Sequence, residues 1–416
     1  MNRRVLVNDH LLYSRWTGVA TYVGNVLQHW PTDVDIEPRG FVTHVLRKGT
    51  AWPNGDEGST EGGAGEKPIA FGPLARVLDV AAKEVRVAPP RFSPDWWRGL
   101  ARRLMPFRPV RRLLPWIFKR GLRYKASPRR FAAYWEPNYI AFPTKLPTVT
   151  SVCDLSVLEY PQWHPNERVQ WWEQEWKGSM ARTHRWIAIS QFTADRMTQV
   201  LSIAPELIDV IPLAARAMPF PSPDELPASL ASAGAPSEYF LVLGTIEPRK
   251  NLRVALDAWA ALPPAFRNRY KLIFAGGPGW GGDSFWQELT THPMSSQVMT
   301  TGYVSKRHAA VLLAGAAAAL VPSHYEGFGL PVLEAMACGT PVICSDIPVF
   351  KEVAGEGACL VAKDDPQAWA QAMQRIAEDQ AWTTSLGQAG TARNQQFSWN
   401  KAARLHAASI ARTVKA

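Results

Sequence analysis

The chain has 416 residues, is 46% hydrophobic and 20% charged, and carries a formal net charge of +10. That length predicts two domains, and the apolar fraction builds a core in each, which excludes a disordered or fibrous chain. Eleven Lys and Arg and no Asp or Glu fall between residues 101 and 130, so the excess positive charge is one strip on an otherwise near-neutral protein. The four cysteines, at positions 153, 338, 344 and 359, show no C-x-x-C pairing, and no export signal opens the chain. They read as reduced thiols in a cytoplasmic protein. The longest apolar run, Ala309 to Pro322, has 14 residues, too few to span a bilayer.

The first predicted elements are a strand over Arg4–Val7 and a helix near Thr17–Trp30. Residues 49–67, rich in Gly and acids, are expected to form a mobile loop within an insertion over about 45–130. Alternation resumes with strand Val149–Val152, a Trp-rich helix over Pro165–Arg182, strand Trp186–Ile189, helix Thr193–Leu201 and strand Ile208–Pro212. Residues 216–236 hold five prolines and read as an interdomain linker. Beyond it, strands at Tyr239–Leu243, Leu272–Ala275, Val298–Thr301, Ala318–Pro322 and Pro341–Cys344 alternate with helices at Leu252–Ala261, Ser284–Thr290, Ser305–Ala314 and Pro331–Cys338. Ser398 caps a last helix. The pattern predicts an α/β chain of two doubly wound, Rossmann-like domains with parallel sheets.

Two segments carry chemistry. In Ser323–Val342, Glu326 and Glu334 have seven residues between them, and Gly327-Phe328-Gly329-Leu330 follows the first acid. Pro331 suits a helix start, and Gly339 and Pro341 end that helix. A small-residue loop feeding a helix N-terminus is an anion site, and Glu334 is expected in the helix's first turn. Upstream, Gly244-Thr245-Ile246-Glu247-Pro248-Arg249-Lys250-Asn251 follows a strand. Arg249 offers paired planar donors and Lys250 a point charge, complementary ways to hold phosphate. Taken alone, each segment also reads as an ordinary turn with solvated charges.

The run E-G-F-G-L-P-x-L-E-A-M-A-x-G-T-P-V resembles the donor-binding motif of retaining glycosyltransferases of family 4, which have the GT-B fold. The resemblance implies that Glu326 contacts hydroxyls of the donor hexose and Glu334 holds the ribose. Gly327, Phe328, Gly329 and Leu330 would offer backbone N–H groups to the sugar and distal phosphate. Gly244 to Asn251 resembles the family's G-x-x-x-x-R-K-N turn, which puts Arg249 and Lys250 on the diphosphate. Thr17–Tyr22, with Gly18, resembles a G-x-x-x-Y element near the diphosphate. Val152–Ser156 with Pro161 and Trp163-His164-Pro165 resembles an H-D-L-S…P-x-W-H-P block. Cys153 stands where the family commonly has His, and Asp154 would face the cleft.

The implied reaction moves a hexose, mannose favoured, from a nucleotide diphosphate sugar such as GDP-mannose to a hydroxyl of a glycan or lipid-linked glycan. No cofactor and no metal are expected. The implied layout is an acceptor domain over 1–215, a linker over 216–236, a donor domain over 237–395, and a helix over 396–416 crossing back. Other readings are a GT-B sugar-nucleotide epimerase, or a non-catalytic membrane or RNA-binding protein on that scaffold. The basic strip, with Arg102, Arg103, Arg108, Arg111, Arg112, Lys119 and Arg120 beside Trp116, suits an anionic membrane surface at the inner face rather than nucleic acid. Gly276-Gly277-Pro278-Gly279-Trp280 follows a strand but lacks the G-x-G-x-x-G spacing. Asp33-Val34-Asp35 matches a metal-holding D-x-D only in its letters, and His10, His29 and His324 show no metal-ligand spacing.

Overall fold

The computed structural model describes residues 4–9, 12, 18–41, 68–72, 74, 126–281 and 283–415. The basic strip through Arg120, the loop at 49–67 and His10 lie outside the described residues. Twelve strands form two sheets among the described residues. The first holds β1 (Arg4–Val7), β2 (Glu37–Gly40), β3 (Ala133–Glu136), β4 (Thr148–Val152), β5 (Arg185–Ala188) and β6 (Ile208–Val210), in the order β2-β1-β3-β4-β5-β6. The second holds β7 (Tyr239–Leu243), β8 (Lys271–Ala275), β9 (Met299–Gly302), β10 (Ala318–Val321), β11 (Val342–Ser345) and β12 (Cys359–Val361), in the order β12-β11-β10-β7-β8-β9. Every pairing between these strands is parallel. Parallel strands need crossovers that cover both faces, which is why β3, β4, β10 and β11 are buried along their whole length.

The helices that bear on the site and on the docking of the two halves are α1 (Gly18–Gln28), α2 (Asn166–Arg182), α3 (Gln191–Leu201), α4 (Leu252–Ala261), α5 (Lys306–Gly315), α6 (Leu330–Ala337), α7 (Pro348–Ala354), α8 (Pro366–Glu378), α9 (Gln380–Asn394) and α10 (Trp399–Lys415). The proline-rich stretch read as linker contains one further short helix, Leu226–Ala233, whose Leu230 packs near Gly315. Part of the long insertion does not stay with the first sheet. Gly72 exchanges backbone hydrogen bonds of 2.8 and 2.7 Å with Thr300 on β9, and Leu74 joins the second core. β9 is an edge strand, so its free backbone groups take this partner.

In the second sheet β7 and β10 are neighbours, with Ala318 opposite Phe240 and Ala319 opposite Leu241. The chain leaves β7 toward β8 on one side and β10 toward β11 on the other. This is the topological switch point of a doubly wound sheet, where the loops after two adjacent strands diverge and leave a crevice.

The last helix belongs spatially to the first sheet. On α10, Trp399, Ala402, Ala403, His406, Ala407 and Ile410 recur at three and four residues and are buried. They face α1 and strands β3, β4 and β5. Trp399 Nε1 donates to the Ala215 carbonyl at 2.8 Å. Arg404 pairs with Asp33 at 2.9 Å and Arg412 with Asp209 at 2.7 Å. Asp33, the first acid of the D-x-D triplet, is thus a docking contact.

A buried polar chain fixes the register of this helix. Trp135 Nε1 donates to Ser151 Oγ at 3.0 Å, and Ser151 Oγ lies 2.8 Å from Tyr22 Oη. Tyr22 Oη lies 2.6 Å from His406 Nε2, and His406 Nδ1 lies 2.7 Å from the Ala402 carbonyl. A carbonyl only accepts, so the imidazole proton is on Nδ1 and Nε2 accepts from Tyr22. Tyr22→Phe leaves that nitrogen buried without a donor and should cost about 1–3 kcal/mol in a urea titration. Burial holds the His406 imidazole down to about 4, whereas an unfolded histidine titrates near ~6.5. Between those values the unfolded chain binds a proton that the folded chain does not, so stability is lost as pH falls through that window. His406→Gln should lessen the slope of the urea midpoint against pH there by about one proton.

Candidate active site

The loops after β7 and β10 meet at the switch point. After β7 the chain makes a tight turn through Pro248–Lys250. Its wall is the glycine-rich loop after β8. Ile246 N–H donates to Gly277 at 3.0 Å and Gly279 N–H to Ile246 at 2.9 Å. A Cβ on Gly276 would sit 1.8 Å from the Gly244 carbonyl oxygen. Gly276 and Gly279 therefore support the basic turn by close packing, which explains those two glycines without a nucleotide fingerprint. His324 N–H donates to the Arg249 carbonyl at 2.8 Å and ties the two loops together.

The turn aims both cations at Glu326. Arg249 reaches one carboxylate oxygen at 2.6 Å, Lys250 the other at 2.5 Å, and Ser323 Oγ donates at 2.9 Å. Glu326 is 7% exposed. Burial alone would raise its pKa, but the charges of Arg249 and Lys250 outweigh burial and hold it down to about 2. Arg249 also pairs with Glu247 at 2.6 Å. Burial raises the Glu247 carboxyl, partly offset by Arg249 and Lys250. Glu247 lies inside the motif yet was not singled out in the sequence, because a lone acid before Pro-Arg-Lys gives no sign of which way it faces.

Glu334 sits one residue deeper in its helix than expected. Helix α6 begins at Leu330, so Glu334 falls in its second turn rather than its first. Pro331 is among the opening residues, with Gly329 as the cap at φ +108°. Arg216 grips Glu334 through both oxygens, at 2.5 and 2.9 Å. Arg216 lies in the stretch read as linker, and nothing in that stretch distinguishes it from solvated charge. It is the residue that sequence reasoning missed outright.

The N–H groups of Gly327, Phe328, Gly329 and Leu330 have no acceptor among the described residues. The Phe328 side chain is core, edge-on to Phe397 at 5.8 Å, so only its backbone lines the site. The first sheet holds this segment from the other side. Ser190 Oγ and Thr193 Oγ1 donate to the Gly327 carbonyl at 2.7 and 3.1 Å. Glu352 on α7 accepts from the N–H groups of Gln191 and Phe192 at the start of α3. A Cβ on Gly327 would lie 1.8 Å from the Cys153 carbonyl oxygen and 3.0 Å from Asp154 Cβ. Asp154 thus stands across from the loop of Gly327 to Leu330, its Oδ1 accepting from Ser156 N–H and Oγ at 2.9 and 2.7 Å. The Cys153 thiol is buried, and burial pushes its pKa up, so it is a neutral packing group. Gly18 opens α1 on the first sheet, with open space where a side chain would stand.

The remaining candidates have other occupations. His29 Nδ1 contacts the Asn25 carbonyl at 2.9 Å. His324 stacks on Trp163 with centroids 5.6 Å apart. All four cysteines are unpaired. A cavity of about 800 Å³ lined by Glu238, Arg269, Ala317, Pro341 and Thr391 lies at the amino ends of the second sheet's strands, opposite the switch point.

Two doubly wound sheets, with paired cations and free N–H groups at the carboxyl ends of adjacent strands, define an enzyme of the GT-B class that handles a phosphorylated sugar donor. A family model described as glycosyl transferases group 1 matches residues 231–393. O-antigen chain mannosyltransferase B of Escherichia coli is 34% identical over 269 residues, spanning 64% of this chain and 70% of that protein. The chain belongs to the group 1 glycosyltransferases, which transfer a hexose from a nucleotide sugar. The fold of Anabaena HepE, solved with UDP and glucose, matches 99% of this chain and 100% of that one, with TM-score 0.63 at 15% identity. WaaG, a glycosyltransferase involved in lipopolysaccharide biosynthesis, matches 98% and 99%, with TM-score 0.62 at 12% identity.

Gly327 offers a direct test of the arrangement. Gly327→Ala forces the Cys153 carbonyl and the donor loop apart. It should cost about 1–3 kcal/mol of stability, as overpacking does, and lower kcat/KM by more than about tenfold. Unchanged turnover would mean that the two loops do not work in contact.

Proposed function

We propose that this glycosyltransferase is a retaining, metal-independent enzyme of family 4. It takes mannose from GDP-mannose and extends a glycan carried on a lipid at the membrane. The supporting observation is the pairing of Glu326 with Arg249 and Lys250 beside four unpartnered N–H groups. Such a cluster can exchange one anion for another. An incoming diphosphate takes over Arg249, Lys250 and the free N–H groups, and Glu326 turns its oxygens to hydroxyls of the hexose. Glu334, held by Arg216, accepts from the ribose. The mannose reading rests on the Escherichia coli relative, whose name gives its activity as mannosyl transfer to O-antigen chains.

In the proposed reaction the bond from the anomeric carbon to the diphosphate oxygen breaks while the acceptor oxygen bonds to the same face. The acceptor proton passes to the departing phosphate oxygen, so no covalent enzyme intermediate forms. Arg249 and Lys250 offset the charge that builds on the leaving group, the kind of preorganised electrostatic help that dominates many enzymes. Replacing both by Ala should lower kcat at least about a hundredfold with the fold retained. Glu334→Ala should weaken donor binding by about 1–3 kcal/mol in calorimetry. Added EDTA should leave turnover intact, and the product's anomeric configuration by NMR should match the donor's. A strict need for Mn²⁺ or Mg²⁺, or an inverted product, would overturn this mechanism.

The acceptor's location is the second part of the proposal. Eleven positive charges near Trp116 and Phe118 suit an anionic bilayer surface. Each contributes on the order of 1 kcal/mol close to such a surface, less when screened by salt. The protein should sediment with anionic vesicles at low salt, release at high salt and ignore neutral vesicles. Changing Arg102, Arg103, Arg108, Arg111 and Arg112 to Ser should abolish sedimentation and leave the thermal shift by donor unchanged.

A further inference from the structure

The cleft holds an imidazole that the mechanism above does not use. His164 is 6% exposed. Its Nε2 lies 3.0 Å from Ser156 Oγ, and that hydroxyl gives its own proton to Asp154 Oδ1 at 2.7 Å. With the hydroxyl proton committed to the carboxylate, the Ser156 oxygen accepts from the ring, so His164 carries its proton on Nε2. Nδ1 is then a bare acceptor, and it is buried without a partner among the described residues. His406 shows the contrast within the same molecule. It is a structural histidine and uses both ring nitrogens, on Tyr22 and Ala402. Buried polar atoms are nearly always satisfied, so one left open beside a site calls for a reason.

The surroundings supply one. The His164 ring stacks on Trp280 with centroids 5.7 Å apart, and Trp280 ends the glycine-rich wall behind the Arg249 turn. Arg168 lies over the same indole at 5.0 Å. Asp154 and Arg249 are both within electrostatic reach of the imidazole. Burial first, then the charge of Arg168, lowers its pKa to about 4, so the ring is neutral at working pH and its lone pair is available.

We infer that His164 Nδ1 accepts a hydrogen bond from a hydroxyl of the transferred hexose, and that the Asp154–Ser156 pair fixes the ring in the tautomer that permits it. His164 is thereby a specificity-determining residue of the donor site. The inference rests on the proposed reading that Glu326 holds the donor hexose, across the crevice from Asp154. No bond to the hydroxyl breaks; the imidazole selects which hexose is held and how it is turned.

The test uses the full chain, GDP-mannose, and derivatives of it that each lack one ring hydroxyl. Wild-type turnover of the parent donor checks the donor assignment separately. If another nucleotide sugar is the one turned over, the panel is built on that sugar. His164→Gln keeps a group able to bond Ser156 but offers nothing at Nδ1. His164→Asn places an amide near Nδ1 instead. His164→Ala and His164→Gln should both lower kcat/KM on the order of tenfold to a hundredfold, the effect of a lost partner at a buried site. His164→Asn should retain more, with melting temperatures of the Gln and Asn variants close to wild type. One derivative should lose the same factor with wild-type enzyme and nothing further with His164→Ala, as a shared contact requires. Full activity in His164→Gln would show that only the bond to Ser156 matters and would overturn the inference. So would a His164→Ala enzyme that discriminates among the derivatives as wild type does.

Discussion

A carboxylate removed from water needs cations at hydrogen-bond distance, and Glu326 has two. That requirement organises the second half of the molecule. Arg249 and Lys250 come from the turn after β7, and Glu326 comes from the loop after β10. Only a sheet in which these two strands are neighbours can satisfy the buried charge. The topology that makes them neighbours also leaves the crevice where a ligand enters. Fold and function therefore share one constraint. The arrangement is poised because Arg249 and Lys250 are satisfied by a carboxylate that another anion can replace, beside N–H groups that still lack an acceptor.

The two halves share one continuous buried apolar cluster, and directional polar contacts are laid over it. Ser190, Thr193 and Glu352 hold backbone groups of the facing half. Tyr325 donates to Glu159 at 3.1 Å and accepts from Leu155 N–H at 3.2 Å. Such directional contacts fix an orientation closely, yet each contributes only about 1 kcal/mol net, so a modest change in ligation can rearrange them. Most of them converge on Gly327 and its neighbours.

The second sheet was largely legible in the sequence because apolar runs, helices and turn residues agree there. Tyr239–Leu243 matches β7 residue for residue, and the donor loop feeds a helix as read. The first sheet was harder. β2 reads Glu-Pro-Arg-Gly and β3 reads Ala-Tyr-Trp-Glu, and neither shows strand periodicity. Their extended state is set by neighbours in the sheet, which a local pattern does not encode. At the site, residues inside a dense motif could be anticipated, and residues brought in by tertiary packing could not. Arg216 sits among prolines 118 residues before Glu334. His164 stood in the W-H-P block that the resemblance singled out, but no role was assigned to it there. Glu334 slipped by one residue, out of the first turn, because Pro331, taken as the helix start, fixes a backbone angle but not the hydrogen-bonding onset.

Helix α10 has a temporal consequence. The first sheet is synthesised before the second, yet part of its cover is α10, the last helix described. While the ribosome is still translating the second half, the face of α1 that carries Tyr22, together with Trp135 on β3, waits uncovered. The N-terminal half thus cannot mature as an independent unit during synthesis. Part of its apolar surface stays open until residues beyond Trp399 emerge. Losing those residues would injure the half made first, not the half to which they are joined.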